Sequence, residues 1–251
     1  MTHARLGTPT GPLKTLAHGR LLAEFSLWSA DLVRMAEDVN RVDAHVDIYH
    51  ADVADGHFAP AMLLFPDLIA SIRPLTDKPV HVHLMVTDNV LIHQIDQCAD
   101  AGADIISIQA ENTDIDRCID HIRGKGIEAG LVLQLHTPVM TARPYLDRLS
   151  MMTLLGTKIG IKGADIDPNA DARMKDARIM IDKSLARSAG QPILLAADGG
   201  IREHSVPGLR KSGADTIVMG SLAFSAENLP ARMRWIHAVS YTHLTLPTTW
   251  L

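Results

Sequence analysis

Three stretches of this chain bring together side chains that can bind a cation and move protons. They are His50-Ala-Asp-Val-Ala-Asp-Gly-His-Phe-Ala-Pro60, His81-Val-His-Leu-Met-Val86 and Ala197-Asp-Gly-Gly200. Each follows or closes an apolar, strand-like run. His50 and Asp52 are two residues apart, as are His81 and His83, so on a strand each pair shares one face. Asp198 ends a third run. Imidazole nitrogen with carboxylate oxygen is the donor set of one divalent metal ion such as zinc, iron, manganese or cobalt. Two carboxylates at such a centre can also take and return a proton.

Two glycine turns add a second chemistry. Asp198-Gly199-Gly200 precedes a helix opening near Arg202, and Met219-Gly220-Ser221 follows the last apolar run. Turns of this kind leave backbone N–H groups free for an anion, and phosphate is the anion expected.

These residues need a scaffold that gathers strand ends. The β-like runs are Ala23–Trp28, His45–Ala51, Pro79–Met85, Asp104–Ala110, Glu128–Leu135, Ser150–Leu155, Pro192–Ala197 and Thr216–Met219. Helical patterns at Ala30–Val42, Asn89–Ala101, Asp114–Gly124, Asn169–Ala189 and Arg202–Ser212 alternate with them. Several runs are almost wholly apolar, as parallel strands covered by helices must be. Eight such runs in βα alternation predict an α/β fold, a single (β/α)8 TIM barrel, with its site on the rim at the strand C-termini. A doubly wound sheet would want a glycine-rich loop after the first strand, and Ser26-Leu-Trp-Ser-Ala-Asp31 is not one. The barrel is expected over residues 21–238. Residues 1–20 lack periodicity and read as a flexible arm. Residues 239–251 do not continue the helix before them and resemble translated adapter DNA, so they read as an atypical, non-native tail.

Composition narrows the function. A net charge of −5 without a basic stripe argues against nucleic acid, and 4% aromatic residues are too few for a base-stacking surface. No apolar run is long enough to cross a membrane. The N-terminal residues form no signal peptide, and Cys98 and Cys118 read as buried thiols of a reducing compartment, so a cytoplasmic location is expected. Barrels often associate through helix faces, which leaves a homo-oligomer open.

From about Ala23 to Arg234 the chain resembles the ribulose-phosphate 3-epimerase family. The resemblance is carried by Ser26-Leu-Trp-Ser-Ala-Asp31, the His50–Pro60 block, His83-Leu-Met-Val86, Asp198-Gly-Gly200 and Gly213-Ala-Asp with Met219-Gly-Ser221. It implies a ribulose-phosphate-binding barrel that holds its metal through His50, Asp52, His83 and Asp198. It implies that Asp52 and Asp198 double as acid and base through a metal-stabilised enediolate. Gly199, Gly200, Gly220 and Ser221 would bind the phosphate of a phosphorylated ketose, Ser26 would approach the substrate, and Met85 would line the metal site.

The chain also departs from the family. Ala54 stands where Met is usual, and Ser107-Ile-Gln109 stands where the fourth strand usually ends in His. The loop after strand six, usually Pro-Gly-Phe-Gly-Gly-Gln, reads Leu154-Leu-Gly-Thr-Lys-Ile-Gly-Ile-Lys-Gly163. Lys158 and Lys162 would add positive charge there, although exposed loop lysines are the commoner case. His81 reads as structural, Asp55 and His57 as organisers of their loop, His136 as an exposed histidine and Glu111 as a polar rim residue. Metal-dependent 3-epimerisation leads. An aldose–ketose isomerase of a short sugar phosphate would use the same enediolate, and a non-catalytic phosphometabolite-binding barrel would need neither metal nor both carboxylates.

Overall fold

The computed structural model describes Leu13, Leu16, residues 19–184 and residues 193–239. Eight parallel strands close into a barrel in sequence order. They are β1 (Leu22–Ser26), β2 (Ile48–Ala54), β3 (Val80–Met85), β4 (Ile105–Gln109), β5 (Glu128–Leu133), β6 (Met151–Leu155), β7 (Leu194–Asp198) and β8 (Thr216–Met219). The helices are α1 (Met35–Val42), α2 (Pro66–Ile72), α3 (Asp88–Asp100), α4 (Ile115–Gly124), α5 (Ala170–Asp182), α6 (Val206–Lys211), α7 (Ser221–Phe224) and α8 (Leu229–Ala238). A 3-10 segment, Val139–Arg148, takes the place of a helix between β5 and β6. Pro144 lies inside it and cannot donate to a continuous α-helical ladder. This is the (β/α)8 TIM barrel expected from the alternation.

Alternation along the strands sorts side chains into two layers. On β2, Tyr49, Ala51 and Val53 pack under the helices with the main core. Ile48, by contrast, packs with Ile105, Met151 and Ala196. His50 and Asp52 share the face of Ile48 by period two, so the barrel interior is apolar below and polar towards the rim. Leu13 seals the apolar end by packing on that same group, and Arg20 forms two hydrogen bonds to Asp47.

Several boundaries differ from the expected ones. β2 starts at Ile48, not His45, because Asp43–His45 turns as a 3-10 segment. It continues through Asp52 and Ala54, which pair with His83 and Met85 of β3. Asp52 is therefore held by a strand, not a loop. α1 starts only at Met35, after an exposed Leu32-Val33, and α2 was not foreseen. It is seven residues long and opened by Pro66, too short to print a clear helical period. The expected tail lies outside the described residues apart from Val239.

A candidate metal and proton-transfer centre on the barrel rim

Closure of the barrel brings the first, second, third and seventh strands to one point. Backbone register sets Ser26 beside His50, and Asp52 beside His83. His50 Nε2 lies 3.3 Å from Asp52 Oδ1 and 3.9 Å from Asp198 Oδ2. His83 Nδ1 lies 3.3 Å and 3.8 Å from those same two oxygens. One donor atom from each of the four residues falls within 4.8 Å of all the others. His50 and His83 are essentially buried, Asp52 nearly so, and Asp198 is the most open of the set.

The donor set fits a divalent cation by its own hydrogen bonding. His83 Nδ1 is buried and closes no hydrogen bond. His50 Nδ1 sits 3.0 Å from Glu24 Oε2, so with the ring neutral it donates there and Nε2 faces the two aspartates with its lone pair. Two carboxylates and two imidazoles converging on one point are a donor set that suits zinc, manganese, cobalt or iron(II).

Glu24 was not singled out from the sequence. It is fully buried, and it also meets His81 Nδ1 at 2.7 Å and accepts from Thr216 Oγ1 at 3.1 Å. His81 Nε2 in turn meets Ser107 Oγ at 2.7 Å. His81 thus serves a buried network beneath the rim: it packs edge-to-face on His50, ring centroids 4.7 Å apart, and groups with Glu24 and His50, not with the four donors at the rim. The one available signal was a carboxylate inside the apolar run Leu22-Ala-Glu-Phe-Ser26, a placement that requires a partner.

The electrostatics pull the two aspartates apart. Burial pushes the Asp198 carboxyl up to about 6, with the Asp52 charge adding to it against the two histidines. Burial acts on Asp52 in the same direction, but His50 and His83 outweigh it and hold that carboxyl below the usual range. His50 is raised: burial opposes its charge, and the Asp52 carboxylate more than compensates. Glu24 stays ionised despite burial because His81 and His50 face it. A bound cation would bring the positive charge that now falls to His50.

Above the cluster lies a cavity of about 270 Å³. Ser26, Asp52, His83, Met85 and Asp198 line it, while His50 sits beneath its floor. Ser26 Oγ donates to Asp52 Oδ2 at 3.0 Å. The glycine turns close one side, with Gly199, Gly200, Gly220 and Ser221 all on the wall. Gly199 and Gly200 have φ of +86° and +71°, and a Cβ on them would collide with Thr157 and with the Ile166 backbone. Glycine is what lets this turn pack against the loop after β6. A larger cleft of about 960 Å³ runs between the 3-10 segment and α5, away from these residues.

The loop after β6 crosses the mouth. Lys158 and Lys162 are exposed yet both border the cavity, and Lys162 Nζ donates to the Trp28 carbonyl at 2.8 Å. His136 is exposed and borders the larger cleft, so it does not stand in for the missing fourth-strand histidine. Gln109 fills that place instead, its amide nitrogen 2.5 Å from His83 Nε2. Asp55 accepts from the amides of His57, Phe58 and Thr87 and so organises its loop. Glu111 accepts from the Gln134 amide and the Thr137 hydroxyl outside the cavity.

Comparison with known proteins points to one family. The sequence profile of the Ribulose-phosphate 3 epimerase family matches residues 22–224. Ribulose-phosphate 3-epimerase 2 of Cupriavidus necator is 35% identical over 213 residues, spanning 84% of this chain and 87% of that protein. Ribulose-phosphate 3-epimerase of Bacillus subtilis is 32% identical over 201 residues, spanning 79% and 90%. Among solved structures, 3-hexulose-6-phosphate synthase from Salmonella typhimurium superposes with a TM-score of 0.65 at 16% identity, covering 87% of this chain and 98% of that one. That likeness speaks for the fold alone.

Proposed function

The chain belongs to the ribulose-phosphate 3-epimerase family, and on that premise we propose that it inverts C3 of a pentulose phosphate by proton transfer between two aspartates. It is an epimerase and hence an isomerase. The observation that carries the finer reading is the meeting of Asp52 and Asp198 over His50 and His83, under a cavity walled by glycine turns.

His50, Asp52, His83 and Asp198 would hold one divalent cation, which when bound polarises the C2 carbonyl and C3 hydroxyl oxygens of the sugar and makes the C3 hydrogen acidic. The rest falls to the chain. One aspartate takes the C3 proton as a carboxylate, leaving an enediolate, and the other, protonated, returns a proton to the opposite face. Asp52 reaches the substrate from β2 and Asp198 from β7, strands separated by β1 and β8 around the barrel. Ser26 restrains Asp52 through its hydroxyl. Met85 offers the sugar an apolar wall that limits water at the carbanion-like carbon.

The phosphate would lie against the amides of Gly199, Gly200, Gly220 and Ser221. Lys158 and Lys162 would add the charge that the altered loop brings in place of the family's glycine-rich one. Among the described residues no helix is long and apolar enough to cross a membrane. A cytoplasmic location and association with a second copy belong to the same proposal.

The test is turnover of ribulose 5-phosphate by metal-loaded protein in deuterated water. Deuterium entering C3 with inversion is the expected result. Deuterium with migration of the carbonyl would make the chain an aldose–ketose isomerase, and sugar-phosphate binding with no exchange would make it a binding barrel.

A further inference from the structure

One end of the cavity is hydrocarbon. The glycine turns on its wall follow β7 and β8, and β3 stands opposite β7 in the closed order of strands. Among the described residues, the strands from β2 to β5 bring only Asp52, His83 and Met85 to the cavity. Asp52 and His83 belong to the four-residue cluster at its floor. Beyond them that side consists of the Met85 side chain, and the loop after β6 completes it with Ile159.

Ile159 is fixed there by its neighbours. It packs on a small apolar group, Ala54, Ala59 and Met85, beside Phe58 and Leu63. The next residue, Gly160, lies so close to the turn after β2 that a Cβ on it would come within 2.9 Å of Pro60 Cδ. Further along, Lys162 ties the same loop to the Trp28 carbonyl. Two departures from the family thus meet. The altered loop seats an isoleucine on the group that contains Ala54, where the usual methionine would take up more room.

A ketose held at this centre has a direction. With its C2 and C3 oxygens at the four-residue cluster and its phosphate at the glycine turns, C4 and C5 run towards β7 and β8. C1 then points the other way, at Met85 and Ile159. Neither side chain offers a hydroxyl a strong hydrogen-bond partner. We infer that Ile159 is a specificity-determining residue, which with Met85 walls C1 of the substrate in hydrocarbon, so that the site takes ketose 5-phosphates without reading the C1 hydroxyl. This rests on the reading of the chain as a 3-epimerase of a pentulose phosphate.

The experiment compares kcat/KM for xylulose 5-phosphate and 1-deoxy-xylulose 5-phosphate, which differ only in the C1 hydroxyl, with C3 deuterium exchange as the readout. A site that hydrogen-bonds a hydroxyl rejects the analogue lacking it by about 10⁴–10⁵-fold, whereas an apolar pocket gains nothing from the hydroxyl. The 1-deoxy sugar is therefore expected to match its parent within about 10-fold or to exceed it. A greater loss would show that a polar group reads C1 and would overturn the inference. Ile159→Asn brings an amide to the wall and should shift the ratio of the two kcat/KM values by about 5- to 10-fold towards the hydroxylated sugar, the worth of one hydrogen bond. An unchanged ratio overturns the assignment of Ile159. Should Ile159→Asn fail to fold, the two sugars on the unsubstituted protein decide alone. If both sugars bind without exchange, the ratio of their Kd values from calorimetry is read in the same way. A different failure marks the underlying reading: if neither sugar exchanges or binds, the chain does not act on pentulose phosphates and the wall has no such substrate to select.

Discussion

A single oxygen, Oε2 of Glu24, holds both His50 and His81, at 3.0 and 2.7 Å from their Nδ1 atoms. A carboxylate taken fully out of water costs several kcal/mol, and its two imidazole partners and the Thr216 hydroxyl offset that here. Glu24 therefore sets the His50 ring that faces the rim.

Removing that acceptor is expected to be costly. Glu24→Ala leaves two buried imidazoles without their shared partner and should lose about 3–5 kcal/mol of stability. Glu24→Gln keeps one acceptor oxygen and should lose less while weakening the hold on His50. Urea unfolding of the two variants, with zinc affinity measured on Glu24→Gln, checks both statements. Equal stability of Glu24→Ala and the parent would show that the network does not support the fold.

The two aspartates carry a kinetic prediction. Asp52→Asn and Asp198→Asn should each keep the fold and lower kcat for epimerisation by about 10²–10⁴-fold, the range of a lost acid–base group. Following C3 deuterium from each epimer separately should reveal different deficits in the two variants, because each aspartate would serve one face. Undiminished turnover in either variant would remove that residue from the mechanism.

Metal removal has a definite expectation. Dialysis against a chelator should abolish turnover, and Zn²⁺, Mn²⁺, Co²⁺ or Fe²⁺ added singly should restore it to different extents. Full activity after verified removal of bound metal would contradict the assignment of His50, Asp52, His83 and Asp198.

Lys162 ties the loop after β6 to the Trp28 carbonyl at the cavity mouth. Lys162→Met should raise KM for the phosphorylated ketose more than it lowers kcat, and should flatten the dependence of KM on ionic strength. The comparison is a steady-state series at two or three salt concentrations. An unchanged KM would confine Lys162 to holding the loop.

Acid stability should depend on Asp55. Burial pushes its carboxyl up, but the amides of Thr87, Phe58 and His57 outweigh that and bring it from 3.8 down to about 2. A depressed carboxyl contributes stability that is complete above its unfolded value and is lost as pH falls through the folded one. That contribution should fade between about pH 4 and 2, and Asp55→Asn should reduce the loss over that window. Urea midpoints at several pH values read this directly, and parallel curves for the two proteins would contradict it.

Much of the site was legible because strand geometry is local. His50 with Asp52, and His81 with His83, announce a shared face by spacing alone, since side chains on a strand repeat every second residue. The βα alternation announces a barrel, and a barrel announces which strand ends share a rim. The family motifs then name the residues that line the cavity.

What spacing could not supply was contact between distant strands. Glu24 reaches β2 and β3 and also bonds Thr216 across 192 residues of sequence, a partner that exists only once β8 closes on β1. His81 and His83 look equivalent in sequence, yet one is turned to Glu24 beneath the rim and the other to the aspartates, because successive inward positions lie at different depths. The strand spacing, glycine turns and donor types follow from the chain's own order. The depth of each side chain, and the amide of Gln109 against His83, were decided by barrel closure, which alone fixes distances between residues on different strands.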